Sequence, residues 1–137
     1  MAVAFDSVVN AALCALEMSR INVSHEMAFR IGLHCGPVTA GVIGKERMQY
    51  DVWGDTVNVA SRMESSGEAG RIHISEAFAS ELKRNTEYTI QNPISHEVPL
   101  VTRHLSLVTS SESLVTIERG SIDLKGKGPM TTYWLEQ

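Results

Sequence analysis

The 137-residue chain has only two cysteines, no surplus of positive charge and no long apolar run, and each shortage removes a class of function. Cys14 and Cys35 lack metal-ligand spacing and cannot form a disulfide framework. They read as reduced, buried thiols of a protein in a reducing compartment, which implies a cytoplasmic setting. Lysine and arginine number 12 against 16 acidic residues, for a net charge of -4. That balance argues against broad nucleic-acid binding, which needs a basic surface, and leaves room for a local anion site. No stretch approaches the roughly 20 apolar residues that cross a bilayer, and no signal-peptide pattern opens the chain. Without such a signal, the sequon Asn22-Val23-Ser24 reads as a chance match. What is present is ordinary for a globular protein, 43% hydrophobic and 20% charged. The length suits a single domain over 1–137 that buries roughly two-thirds of its unfolded surface.

Phe5, Val8, Val9, Ala12, Leu13 and Leu16 recur at helical spacing and predict an amphipathic helix over 4–19. Phe29 to His34 reads as a strand, and Gly36-Pro37 as the turn that pairs it with Val38 to Ile43 in a β-hairpin. Gln49 to Trp53 reads as a short strand. Asp55 or Thr56 is placed to cap a helix running to about Ser65, with Val57, Ala60 and Met63 facing the sheet. Arg71 to Ile74 predicts another strand, and Ser75 the cap of a short helix through Lys83. Strands are expected at Tyr88 to Ile90, Val115 to Leu124 and Thr131 to Leu135. Residues 91–114, with Pro93, Pro99 and a Ser/Thr run, read as an atypical insertion, either a mobile loop or one hiding an extra strand. Helices mixed with hairpins give an α+β class with a largely antiparallel sheet.

Three places carry side chains suited to chemistry. Asn58 and Arg62 stand at i and i+4 of one helix, about 6 Å apart at Cβ. An amide beside a fixed guanidinium fork suits a polarised oxygen and a phosphate. The simpler reading is a solvated face with Arg62 paired to Glu64 or Glu68. Lys125-Gly126-Lys127-Gly128 combines two cations with backbone that can approach a ligand closely, or is a plain charged turn. Asp51 lies two residues before Trp53, on the same strand face, where a carboxylate accepts hydrogen bonds from a base amine or simply forms a turn. His34 completes no metal set and reads as a core or edge histidine. Ser61 and Ser75 have no base partner, so nucleophilic catalysis finds no support.

Taken together, "RIGLHCGPVTAGVIG", "QYDVWGDTVNVASRMESSGEAGRIHIS" and "GSIDLKGKGPMTTYWL" closely resemble the class III nucleotidyl cyclase catalytic domain. That family makes cyclic AMP or cyclic GMP from the nucleoside triphosphate. The resemblance implies a ferredoxin-like fold and active sites at a head-to-tail dimer interface. By it, Asn58 and Arg62 stabilise the transition state, Asp51 recognises adenine where guanylyl cyclases often carry cysteine, and Lys125 contacts the triphosphate. ATP is therefore favoured over GTP. Homodimerisation or a partner cyclase subunit, and a role in signal transduction as a phosphorus–oxygen lyase, follow from the same likeness.

The family holds magnesium or manganese with two aspartates, on its first strand and on a hairpin. It places a purine-selecting lysine in that hairpin as well. Neither block has a counterpart here, since Asp6, Glu17 and Glu26 match no part of the motif. The chain thus reads as the C-terminal two-thirds of the domain, lacking its N-terminal strand, helix and metal-binding hairpin. It is expected to be inactive alone. The alternatives are a regulatory pseudo-cyclase that binds nucleotide without turnover and a dimerising scaffold.

Overall fold

The computed structural model describes residues 1–24, 28–43, 49–91, 114–124 and 126–137. Helix α1 spans Val8–Ser24 and starts four residues later than its apolar spacing predicts. Ser7 sets the start: its Oγ accepts the amide of Asn10 at 3.4 Å and its carbonyl takes the amide of Ala11. The helix is rich in alanine, the best helix former, and buries Ala11, Ala12, Ala15 and Leu16 as one stripe.

Strands β1 (Ile31–Leu33), β4 (Ile72–Ser75), β5 (Val115–Leu124) and β6 (Gly128–Glu136) form one sheet in the order β1-β4-β6-β5. Its β4–β6 and β5–β6 pairs are antiparallel, whereas β1 runs parallel to β4 with Gly32 opposite His73. The expected hairpin between 29–34 and 38–43 does not form. Strand β2 (Thr39–Ile43) instead pairs antiparallel with β3 (Gln49–Trp53) in a separate two-stranded sheet. The Gly36-Pro37 turn is fastened elsewhere. The Pro37 carbonyl accepts the Thr56 hydroxyl at 2.6 Å, and a Cβ on Gly36 would lie 2.7 Å from that same oxygen. The chain leaving β1 is thus tied to the start of α2 (Asp55–Ser65) and cannot fold back on β1.

Helix α3 covers Glu76–Gln91, longer than expected, and takes in the Tyr88–Ile90 segment that reads as a strand. Ser75 caps it as expected, its Oγ accepting the Phe78 amide at 3.2 Å. The cap of α2 differs from expectation. Gly54 holds that position with no side-chain cap, and Asp55 and Thr56 lie inside the helix. Thr56 is otherwise engaged, by Pro37.

Alternation along the strands separates two cores. Ile72 and Ile74 of β4 and Leu135 of β6 meet Ala12, Leu16, Phe78 and Leu82, so α1 and α3 cover one face. On the other face Val59 and Met63 of α2 pack with Leu124. Val59 therefore takes the place expected for Val57 and Ala60, which are only half-buried. Gly32 makes the approach of α2 to the sheet possible. A Cβ there would sit 2.1 Å from the Glu64 amide nitrogen and 2.7 Å from the Ala60 carbonyl oxygen. Strand β1 and α2 touch backbone to backbone.

Candidate functional site

Helix α2 presents Asp55, Asn58, Arg62 and Ser65 at spacings of three, four and three residues, which is one stripe along its outer face. The β5–β6 turn stands opposite and adds Lys127. Between them lies an open groove of about 440 Å³, floored by Val59 and Leu124. Its lining is polar over an apolar base, so a ligand seated there meets donors laterally and carbon beneath.

The back of α2 is anchored on the sheet by a polar brace. His73 is fully buried on β4 with Nδ1 2.8 Å from the Met63 carbonyl. A carbonyl only accepts, so Nδ1 carries the proton and Nε2 is left as acceptor towards Arg119 Nη1 at 3.2 Å. Arg119 also donates to the Ser66 carbonyl at 2.7 Å. It is the extra residue at the bulge between Glu118 and Gly120, and a bulge re-aims a side chain in this way. Trp134 completes the brace. Its ring lies 5.0 Å from the His73 ring, with the Arg71 and Arg119 guanidinium carbons 4.2 and 4.6 Å from its centroid. These contacts hold the C-terminal end of α2, and with it Arg62, at a fixed height above the sheet. Ser66 Oγ adds a 2.7 Å bond to the Arg62 carbonyl.

Burial lowers the pKa of His73; the Met63 hydrogen bond opposes this and the Arg119 charge adds to it. Burial likewise lowers His34, whose Nδ1 meets Ser75 Oγ at 2.7 Å, against the pull of the Asp55 carboxylate. His34 is thus a half-buried structural histidine, as its isolation in the sequence implies. Cys14 and Cys35 are free and half-buried, less enclosed than expected, and burial pushes the Cys35 thiol up.

The structure brings Asn58 and Arg62 to the same groove. The acids expected to neutralise Arg62 are taken elsewhere: Glu64 pairs with Arg30 at 3.0 Å and Glu68 with Arg71 at 3.7 Å. Among the described residues nothing pairs with the Arg62 guanidinium. Asp51 sits on β3 opposite Gly41, and its side chain lies outside the described part of the structure. Lys125 also lies outside the described residues, as do 92–113, which hold most of the expected insertion. Lys127 joins the site although the sequence reading assigned the phosphate contact to Lys125 alone. Its place between two glycines of a turn was the available signal. Asp55, taken as a helix cap, is likewise a groove residue, ion-paired with Lys127.

The adenylate and guanylate cyclase catalytic domain model matches residues 2–102. The chain belongs to that family. It is 44% identical over 106 residues to guanylate cyclase 32E of Drosophila melanogaster, a match covering 77% of this chain and 7% of that protein. It superposes on the catalytic core of a rhodopsin-guanylyl cyclase with converted specificity in complex with ATPαS. There the TM-score is 0.68 and the identity 34%, over 97% of this chain and 60% of that one. The guanylate cyclase domain of RhGC from Catenaria anguillulae in complex with GTP gives a TM-score of 0.69 at 33% identity, over 98% and 62%. The chain thus spans under a tenth of the Drosophila relative and under two-thirds of these structures. The solved domains share the α+β architecture described above and extend the likeness through the Lys127 turn, beyond the family-model match.

Cyclases of this family use magnesium or manganese, and the described residues do not fit such an ion. Among them, no three His, Cys, Asp or Glu side chains converge on one point. The groove carboxylate, Asp55, is paired with Lys127. No helix among the described residues is long and apolar enough to cross a membrane.

Proposed function

We propose that this cyclase domain supplies the transition-state half of a purine nucleotide cyclase site. Metal-binding carboxylates would come from a partner subunit or from a second copy of the domain paired head to tail. The observation that carries this reading is the Arg62 guanidinium, without a partner among the described residues, one turn from Asn58 over a groove that Lys127 closes. In the reaction the ribose 3′-oxygen bonds to the α-phosphorus, the bond from that phosphorus to the β-phosphate oxygen breaks, the 3′-hydroxyl proton leaves, and pyrophosphate departs. Negative charge builds on the oxygens around the α-phosphorus. A fixed guanidinium and an amide donor aimed at that charge lower the barrier without reorganising. In this reading Asn58 and Arg62 serve that purpose, and Lys125 contacts the outgoing phosphates.

For the base we favour adenine, because Asp51 can accept a hydrogen bond from the exocyclic amine, whereas guanine presents a carbonyl there. A similar rhodopsin-guanylyl cyclase core with converted specificity is in complex with ATPαS, which supports this reading. Free Cys14 and Cys35 suit a reducing, cytoplasmic setting. A non-catalytic nucleotide binder is the second reading, favoured by the lack of a metal cluster among the described residues.

Titration of the pure chain with ATP and with GTP tests the binding half of the proposal. ATP should bind more tightly, Arg62→Ala should weaken both nucleotides, and Asp51→Ala should bring the two affinities together. Equal affinity for ATP and GTP in the unaltered chain would remove the adenine assignment.

A further inference from the structure

Lys127 reaches from the β5–β6 turn across the groove to the carboxylate of Asp55, the first residue of α2. The two side chains remain 40% and 68% exposed, so charge rather than packing holds them together. Both line the same groove as Asn58 and Arg62. An ammonium is a point charge with rotatable donors on a flexible stem and exchanges one oxygen partner for another readily. Glycine builds the turn that carries it. Gly126 and Gly128, on either side, have φ of 84° and 78°, values that side-chain-bearing residues rarely adopt. The helix dipole favours a carboxylate at position 55 whether or not a ligand is bound.

We propose that Lys127 is a second polyphosphate-binding cation of this groove and that Asp55 is its internal competitor. The proposal rests on the nucleotide reading of the groove. With no ligand bound, the carboxylate holds the ammonium across the groove. An entering triphosphate takes the ammonium over, because several adjacent phosphate charges outcompete one exposed carboxylate. A single phosphate offers less charge and displaces it less often. The pair therefore selects for the length of the phosphate chain, a role distinct from base recognition and from the chemistry at the α-phosphorus.

The test is calorimetric titration of the full chain with inorganic tripolyphosphate, and with inorganic phosphate for comparison, at low salt and without divalent metal. Asp55→Asn should tighten tripolyphosphate roughly two- to fivefold, the range expected when one exposed ion pair is removed. Lys127→Met should weaken it by a similar factor. In the Lys127→Met background, Asp55→Asn should change the affinity by less than about twofold, because the competitor then has nothing to hold. Tightening by the same factor with and without Lys127 would show simple repulsion by Asp55 and overturn the proposal. Unchanged affinity in Lys127→Met would overturn it as well. Arg62→Ala reports on the groove reading separately. If Arg62→Ala leaves tripolyphosphate binding intact, the nucleotide reading falls, while the Asp55–Lys127 coupling still decides the present one. If no variant binds tripolyphosphate, both fall.

Discussion

His73 is buried as a neutral imidazole between a carbonyl and a guanidinium, and that arrangement gives the fold a defined response to acid. Burial, helped by the Arg119 charge, holds its pKa below the ordinary 6.5 in the folded protein. The unfolded chain therefore binds a proton that the folded chain refuses. Stability from this residue is fully present above about pH 6.5 and is lost as the pH falls through the folded value. His34 contributes in the same direction, for the same dominant reason. The urea midpoint of the chain should fall on acidification from pH 7.5 to 5.5, and His73→Phe should flatten that slope while lowering the midpoint at neutral pH. A midpoint rising with acid would contradict the neutral assignment of His73. None of this was legible in the sequence, where five scattered histidines offered no ligand set and gave no hint that one of them fastens α2. Asn58 and Arg62 were legible because helical spacing alone puts them on one face. Lys127 was less so: its place between two glycines was a signal, but its reach to Asp55 depends on the course of the turn, which the sequence does not carry.

At the scale of elements, the backbone contact between β1 and α2 decides where the groove stands. Gly32 leaves no room for a methyl group: its nearest obstacles are the Glu64 amide and the Ala60 carbonyl, which belong to a helix and cannot swing aside. Gly32→Ala must therefore push α2 off the sheet, straining the Val59–Met63–Leu124 core and the His73 bond to Met63. Overpacking of this kind costs about 1–3 kcal/mol, and backbone obstacles place this case at the upper end. Thermal melting should show it, and nucleotide affinity should fall with it because Asn58 and Arg62 ride on the displaced helix. A Gly32→Ala protein as stable as the unaltered chain would mean that β1 and α2 are less tightly joined than described. Periodicity located most helices and strands correctly, since each buries one face. It failed on pairing. The β1–β2 hairpin looked plausible from two strands and a Gly-Pro turn, but the Thr56–Pro37 bond, between residues 19 apart, carries no local pattern. The β1–β4 pair is parallel and spans about forty residues, a distance at which sequence pattern carries no register.

Taken as a whole, the molecule shows apolar surface that a solitary domain has little reason to keep. Phe5, Phe29, Val38, Val115 and Ile117 are exposed, the last two on β5, one of the two edge strands of the main sheet among the described residues. Sheet edges and exposed apolar side chains invite association. The chain should therefore form dimers or larger species at micromolar concentration, and Ile117→Lys should shift it towards monomer by placing a charge on the edge. Light scattering that shows a clean monomer at high concentration would oppose this. Association also bears on activity, because the proposed site leaves its metal-binding carboxylates to a partner.

Complementation measures that dependence directly. The chain is mixed with a cyclase subunit that keeps its metal-binding aspartates but carries a disabled transition-state arginine, and cyclic AMP is followed with ATP and manganese. The account predicts activity above that of the subunit alone, and a loss of roughly 100-fold or more when the chain carries Arg62→Ala, since removing one donor to the developing charge costs about 3–4 kcal/mol. If the two proteins bind each other and the rate does not rise, or if Arg62→Ala rescues as well as the unaltered chain, the Asn58–Arg62 groove does not perform this chemistry.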